Sequence, residues 1–181
     1  ILIRRYIMLD LSELEAGWWE AMNRISNIYL LVVTTSFSVY YLPRLSEITE
    51  PNEVRREIGK AFKVIIPLLL TGFVLVYLCR FLIIRILFTS EFLPMAKLFG
   101  WQMGSDLFKI GCYILTYVMI AKARTVVYVT TEIVFTIIYI GLACQLMQTS
   151  AGIIGVTQAG MAAYLLHMGV VYLYLRKIGY V

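Results

Sequence analysis

The stretch AGWWEAMNRISNIYLLVVTTSFSVYYL, residues 16–42, decides the fold class of this chain. It is long and apolar enough to cross about 30 Å of hydrocarbon as a helix. At about 100° per residue, its polar side chains fall within roughly a third of the helix circumference. They are Glu20, Asn23, Arg24, Asn27, Thr34, Thr35 and Ser38. Because a charge at membrane depth costs about 2.5–3.5 kcal/mol, this face is predicted to meet a protein interior or a hydrated path.

A second hydrophobic segment, residues 101–120, has the same character. One face of the predicted helix carries five polar side chains, namely Gln102, Asp106, Lys109, Tyr113 and Thr116. Two apolar helices with polar stripes are typical of a polytopic protein that encloses an aqueous cavity, which suggests a transport role.

The composition independently indicates a membrane protein. The chain has 181 residues, of which 61% are hydrophobic and only 15% charged, and its mean hydropathy is +0.82. Soluble domains average about 25% charged residues. The net charge of +5 comes from basic residues in short loops between apolar segments. Because these residues form no continuous face, we expect no nucleic-acid partner.

Segment lengths predict an all-α polytopic membrane protein with five complete spans at residues 16–42, 61–79, 101–120, 125–144 and 156–175. Residues 1–9 are expected to be the end of a further span that begins outside this sequence. Residues 46–60 are predicted to form an amphipathic helix on the cytoplasmic surface, continuous with the next span. Residues 80–98 are interrupted by charges and Pro94, which favours a periplasmic interfacial or re-entrant segment.

The short loops predict the orientation. With five alternating spans, one side receives most of the basic residues, namely Arg44, Arg55, Arg56, Lys60, Lys63, Lys122, Arg124, Arg176 and Lys177. The other side receives Arg80, Arg85 and Lys97. The richer side should be cytoplasmic, which places the C-terminus in the cytoplasm.

Two pairs of charged residues and one single carboxylate each leave two interpretations open. Glu20 and Arg24 are spaced i,i+4, and Asp106 and Lys109 are spaced i,i+3, so each pair either closes on itself or contributes charge to a cavity. Glu132 has no partner within its own predicted helix. It either pairs with a neighbouring span or serves as a protonation site that couples transport to a proton gradient.

Three blocks of sequence carry a family resemblance. They are EAGWWEAMNRISNIYLLVVTTSFSVYYLPRLSEI (residues 15–48), WQMGSDLFKIGCYILTYVMIAKA (residues 101–123) and GIIGVTQAGMAAYLL (residues 152–166). In order and spacing they resemble the C-terminal half of the Wzx-type polysaccharide flippases, in the branch that handles O-antigen and enterobacterial common antigen units. This branch belongs to the multidrug/oligosaccharidyl-lipid/polysaccharide exporter superfamily.

The resemblance implies two six-helix bundles around a central cavity, with this chain supplying one incomplete bundle. It implies transport of an undecaprenyl-diphosphate-linked oligosaccharide across the bacterial inner membrane, with membrane lipids and the N-terminal bundle as partners. A polysaccharide polymerase complex is a further candidate partner.

Such a substrate suggests roles for the polar residues. A guanidinium fork suits phosphate, so Arg24 is the first candidate, with Arg4, Arg5 and Lys109 as further cations. The side-chain amides of Asn23, Asn27 and Gln102 can form hydrogen bonds with sugar hydroxyls. The acids Glu20, Asp106 and Glu132 are assigned to cavity ion pairs or to coupling.

No arrangement of catalytic residues is recognisable, so we expect no enzymatic activity, no metal site and no cofactor. Two alternatives to a flippase remain. A multidrug cation antiporter of the same superfamily would need cavity carboxylates without balancing cations. A non-transporting scaffold of a polysaccharide assembly complex would use the polar stripes only to hold helices together.

Overall fold

A computed structural model describes residues 2–149 and 151–181, and every regular element in that part of the chain is helical. The elements, in chain order, are α1 (Leu2–Asp10), α2 (Glu13–Ser36), a π-helical turn (Phe37–Tyr41), α3 (Leu42–Glu47), α4 (Pro51–Leu87), a 3₁₀ segment (Ser90–Leu98), α5 (Phe99–Ala121), α6 (Thr125–Met147) and α7 (Ile153–Lys177). Five continuous helical segments within the described residues are long and apolar enough to cross a membrane. The fold is therefore that of an all-α polytopic membrane protein.

The first spanning segment joins α2, the π turn and α3. Its start is fixed by Ser12, whose hydroxyl accepts a hydrogen bond of 3.1 Å from the Glu15 backbone N–H. The π turn ends at Tyr41, two residues before Pro43. A proline within a helix cannot donate to the carbonyl four residues earlier and its ring clashes with that group, which accounts for the widened turn at this place.

The structure changes the predicted bounds of two segments. The amphipathic helix begins at Pro51 rather than at residue 46, because Ile48 and Glu50 are extended and the position before a proline disfavours helix. This helix, α4, then runs through the expected span end at residue 79 and stops at Leu87.

Only residues 88–98 of the predicted interfacial segment leave the α-helix, and Ser90–Leu98 of these form the 3₁₀ segment. Arg80 does not break α4, since its guanidinium group folds back over the rings of Tyr77 and Phe81 and donates a hydrogen bond of 2.6 Å to the Tyr77 carbonyl.

The centre of the bundle is the contact between α5 and α7, and α6 packs on the other side of α7. Gly155 makes the α6–α7 approach possible, because a Cβ atom there would lie 2.6 Å from the Leu146 carbonyl oxygen. By contrast, α4 and α6 present large apolar side chains outward, such as Leu68 at 71% exposure and Ile137 at 64%. These outward faces have the composition that a lipid environment requires.

Polar contacts tie the elements together at the two ends of the bundle. At one end, the Lys122 ammonium group donates to the backbone carbonyl of Leu45, at 2.7 Å, and to that of Ile48. At the other end, the Trp18 indole N–H donates to the Glu91 carbonyl at 2.9 Å. The end of α5 is thus fixed to the end of α3, and the start of α2 to the 3₁₀ segment.

Candidate functional site

A polar cavity of about 410 Å³ lies inside the bundle, among α1, α2, α5, α6 and α7. Its polar lining consists of Asn23, Gln102, Ser105, Asp106, Lys109, Thr136, Tyr139, Thr157 and Tyr164, and Trp19 adds an indole face. Of the residues predicted from the two polar stripes, Asn23, Gln102, Asp106 and Lys109 are therefore brought together. We call this space the polar cavity.

Asp106 is held at the wall of the polar cavity by hydrogen-bond donors from two helices. Its carboxylate accepts bonds from the Ser26 hydroxyl at 2.5 Å, from the Tyr29 hydroxyl, and from the Gln102 amide at 3.2 Å. Only 1% of Asp106 is exposed. Buried carboxylates need such donors, because an unsatisfied buried acceptor costs about 1–3 kcal/mol. The Asp106 carboxyl group is thus held in place by neutral hydrogen-bonding groups.

Lys109 does not close on Asp106, so the interpretation of these residues as an internal ion pair is wrong. Its ammonium group lies 5.5 Å from the ring centre of Tyr164 and 6.0 Å from that of Tyr113. Within residues 2–149 and 151–181, no salt bridge to Lys109 is formed. Lys109 therefore contributes a positive charge to the polar cavity that is not closed into a salt bridge, with aromatic faces beside it.

The other predicted pair does form, and it lies outside the polar cavity. Glu20 bonds Arg24 at 2.8 Å and also Arg4 of α1 at 2.9 Å. Together they line a separate groove of about 250 Å³, closed on one side by Phe88 and Phe92. We call it the arginine groove. The single polar path expected along α2 is therefore divided into two spaces.

The remaining predicted residues lie apart from both spaces or serve their own helix. Arg5 and Asn27 are exposed. Asn23 lines the polar cavity, and its amide nitrogen donates at 3.0 Å to the Trp19 carbonyl one turn earlier, which uses one of its two N–H groups. Thr34 and Ser38 likewise bond carbonyls of their own helix, at 2.9 and 3.0 Å.

Glu132 forms no ion pair with a described residue. It lines a small enclosed cavity of about 30 Å³, together with Phe135, Thr136, Tyr139, Ala163, Tyr164 and His167. Its Oε1 atom is buried without a hydrogen-bond partner among the described residues. The described residues thus provide no ion-pair partner for Glu132 on a neighbouring span, and the other polar residues that line the same space are Thr136, Tyr139, Tyr164 and His167.

Sequence reasoning missed Ser26, Ser105, Thr157 and Tyr164 as parts of the site. Ser26 is buried and follows Asn23 by three residues, so helical spacing alone would have placed it next to the polar stripe. Thr157 and Tyr164 are seven residues apart and share a face of α7, so helical spacing could have paired them. Ser105 touches the space above Gly160, whose absent side chain leaves room for it.

The fold and this interior define a multi-pass α-helical membrane protein with a polar cavity among its spans. The chain is similar to proteins named lipid III flippase from Escherichia coli (strain K12) and Shigella flexneri, each 34% identical over 168 residues. These matches cover 92% of this chain, and the resemblance to the Wzx-type flippases is confirmed. They are consistent with the C-terminal half of such a protein.

The chain spans 40% of the length of these two relatives. No protein-family model matches the chain. No solved structure matches it either. Because both relatives are named as flippases, which are transporters, the comparison agrees with the expectation of no enzymatic activity.

Proposed function

We propose that the protein flips an undecaprenyl-diphosphate-linked oligosaccharide, of the O-antigen or enterobacterial common antigen type, across the bacterial inner membrane. Two findings support this function: the similarity to lipid III flippases and the polar cavity within apolar helices. A substrate with sugar hydroxyls and two phosphates cannot enter hydrocarbon unaided, because each unsatisfied polar group costs several kcal/mol there. Its polyprenyl tail remains in lipid while the head group passes through the protein.

The observation that carries the proposal is the position of Lys109. A cation in the polar cavity that forms no salt bridge with a described residue is suited to bind an anion. A charge-assisted bond to phosphate is about twice as strong as a neutral hydrogen bond. In this proposal, Lys109 binds the diphosphate, while Gln102 and Asn23 contact sugar hydroxyls and Trp19 stacks on a sugar ring.

The arginine groove has a secondary role in the same proposal. Arg4 and Arg24 share Glu20, so the group of three carries one net positive charge. The Arg24 side chain is 73% exposed and the Arg4 side chain 54%, so both remain accessible to an arriving anion. Together with Arg5 and Asn27 on the exposed faces of α1 and α2, they form an entry path for the head group.

For the transport cycle we propose alternating access, in which this bundle rocks against an N-terminal bundle of the same protein. The end of the bundle that holds Lys122, Ile48 and the C-terminus is assigned to the cytoplasm, because the basic loops lie there. The start of α4 then lies at the cytoplasmic gate and the 3₁₀ segment at the periplasmic side. A polysaccharide polymerase complex would receive the product.

The test compares Lys109→Gln with Lys97→Gln in proteoliposomes that contain a fluorescent lipid-linked oligosaccharide. Lys97 is the matched control, since its ammonium group also lies near an aromatic ring, that of Trp18 at 5.4 Å, but outside the polar cavity. We expect Lys109→Gln to lower the flipping rate at least about tenfold, which corresponds to the loss of about 1.4 kcal/mol. Lys109→Arg should retain more activity than Lys109→Gln.

The same experiment separates the alternatives. If the polar residues only hold helices together, Lys109→Gln will lower the amount of folded protein instead of its flipping rate. A multidrug cation antiporter would instead give drug resistance that depends on Glu20, Asp106 or Glu132. Against the antiporter, Asp106 is already occupied by three donors and Glu20 by two arginines. Equal flipping by wild type and Lys109→Gln would refute the assignment of Lys109.

A further inference from the structure

We propose that a groove between the first spanning segment and α4 binds one anionic phospholipid, with an acyl chain along the groove and the phosphate at its charged end. We call it the lipid groove. One wall belongs to α2, the π turn and α3, and the other wall belongs to α4. Among the described residues, the lipid groove and the polar cavity share no lining residue. The inference therefore goes beyond the proposed transport function and does not depend on it.

The lipid groove is open because its two walls pack on α5 and not on each other. The helices α2, α3 and α4 each contact α5, whereas α2 and α3 scarcely touch α4. The first wall is fixed to α5 at two places. The Phe37 ring meets the Tyr117 ring with centroids 5.3 Å apart, and the Tyr41 hydroxyl donates to the Ile114 carbonyl at 3.2 Å. The space between the walls is thus a feature of the packing of the bundle.

The dimensions of the lipid groove fit one extended chain. Its walls run from Val32 to Arg44 and from Glu57 to Leu69, each about 18 Å of helix. One leaflet of hydrocarbon is about 15 Å thick, half of the whole core. The volume is about 420 Å³, or about 1010 Å³ with the open side included. Even the larger volume gives a mean cross-section of about 56 Å², whereas a helix about 10 Å wide needs about 80 Å². The lipid groove is thus as deep as one leaflet and too narrow for a further helix.

The lipid groove is polar at one end and apolar along the rest of its length. Beyond Val32 and Leu69, the rings of Tyr29 and Phe73 meet with centroids 5.3 Å apart, which closes the apolar end. The middle is lined by aliphatic side chains, namely Val33, Val64, Ile65 and Leu68. The charged lining residues lie at the end next to the loop between α3 and α4, namely Arg44, Glu57 and Lys60. An empty apolar groove loses dispersion contacts, so a membrane fills it with hydrocarbon, and the charged end matches a head group.

The charges at this end favour a phosphate. Arg44 lies 3.8 Å from Glu47, well beyond the 2.7–2.9 Å or so of a charge-assisted hydrogen bond, so this pair leaves its guanidinium donors available. Lys60 bonds Glu57 at 2.6 Å, which uses one of its three donors. The three charged lining residues carry one net positive charge. Residues 51–63 at the start of α4 add to this field, with four basic side chains and two acidic ones. An anionic head group is therefore favoured over a zwitterionic one.

A phospholipid fits the lipid groove better than the polyprenyl tail of the proposed substrate does. The α2 residues that line the polar cavity are Trp19 and Asn23, whereas those that line the lipid groove begin at Val32. The two sites are therefore about 14 Å apart along α2. A head group bound at Lys109 would have to send its tail around this helix to reach the lipid groove. A head group in the polar cavity and a chain in the lipid groove thus belong to two different molecules.

Native mass spectrometry of the purified protein tests the contact with the head group. Wild type should retain one molecule of phosphatidylglycerol and prefer it to phosphatidylcholine. Arg44→Gln combined with Lys60→Gln should weaken this binding at least about tenfold, because each basic residue near a lipid surface contributes about fivefold. The matched control combines Arg176→Gln with Lys177→Gln, which removes the same charge from exposed positions at the same end of the bundle. Equal retention of the two lipids, or an equal loss in both double variants, would overturn the inference.

Ser36→Trp tests the part of the groove that holds the chain. Ser36 lines the lipid groove, and its hydroxyl bonds the Val32 carbonyl of its own helix at 2.8 Å. The matched control is Thr71→Trp, since the Thr71 hydroxyl bonds the Pro67 carbonyl of its own helix at 2.9 Å, outside the groove. Only Ser36→Trp should lose the lipid, and Ala61→Phe on the opposite wall gives an independent variant with the same expected loss.

Two further outcomes of the same measurement would overturn the inference. If glycerol phosphate displaces the lipid at equal concentration, the protein binds a phosphate and no chain. If a mass of two copies disappears in the variant that fills the groove, a second copy of the chain occupies it. Because no flipping measurement enters this test, its result is separate from that of the proposed function.

Discussion

The Ser26 hydroxyl of α2 donates a hydrogen bond of 2.5 Å to the Asp106 carboxylate of α5, which joins residues 80 positions apart in the chain. Both residues are only 1% exposed. The bond thus joins Asp106 of the second polar stripe to a serine of α2 that lies beside the first stripe. It stabilises the buried carboxylate and fixes one wall of the polar cavity.

Ser26→Ala should therefore lower the free energy of unfolding by about 1–3 kcal/mol, because it leaves the carboxylate short of a donor in a buried position. Unfolding in mixed micelles measures the change. Ser46→Ala is the control, since Ser46 is exposed and bonds only the Leu42 carbonyl of its own helix. A double-mutant cycle with Asp106→Asn should give a coupling energy of about 0.5–3 kcal/mol. Simple additivity would show that the bond contributes nothing.

Lys122→Met should weaken the link between the ends of α3 and α5. The substitution retains the apolar stem but removes the donors to the carbonyls of Leu45 and Ile48. Each hydrogen bond made by a charged group contributes about 1.5–3 kcal/mol. We expect a lower unfolding midpoint and faster proteolysis between α3 and α4. Lys63→Met, at an exposed position on α4, should change neither.

Gly155→Ala should destabilise the α6–α7 contact. The added methyl group would lie 2.6 Å from the Leu146 carbonyl oxygen, and overpacking of this kind costs about 1–3 kcal/mol. The matched control is Gly141→Ala on α6, where a Cβ atom meets no other atom within 4 Å. Thermal unfolding in detergent should show a lower midpoint for Gly155→Ala only. Equal unfolding midpoints for the two variants would mean that α7 can move away from α6 without a loss of stability.

Glu20→Gln should leave the free energy of unfolding nearly unchanged, even though it removes both ion pairs to Arg4 and Arg24. Ion pairs that water reaches contribute little to stability, because water and salt screen them. The small difference from wild type should shrink further when unfolding is repeated at high ionic strength. A large loss of stability that persists in salt would show that the arginine groove is a structural element of the fold.

The fold class could be predicted because it depends on local chemistry. Hydrophobic length located the spans at residues 101–120 and 125–144, which lie inside α5 and α6. The end of α4 could not be predicted in the same way. In the sequence, the charge of Arg80 predicts the end of the apolar span. In the structure, two aromatic rings of the same helix cover its guanidinium group, and the helix continues.

The candidate site was only partly predictable, because partners from distant helices are not encoded in spacing. The pair Glu20–Arg24 is one turn apart and forms as its spacing indicates. Asp106 and Lys109 are also about one turn apart, yet they form no salt bridge. The hydroxyl groups of Ser26 and Tyr29 donate to Asp106 instead, and the Lys109 ammonium group lies near the ring of Tyr164. Helical periodicity shows which side chains share a face, but the opposing helix decides which of them bond.

The π turn at Phe37–Tyr41 has a consequence for how this region can vary. It accommodates one residue more than an α-helical turn, so it offsets the angular phase of everything that follows by about 100°. Leu45, which is completely buried, reaches the bundle interior only because of that offset. The segment should accept many substitutions of one apolar residue for another. Deletion of one residue there would instead rotate Leu45 away from its neighbours and break the hydrogen bonds from Lys122 to the carbonyl groups of Leu45 and Ile48.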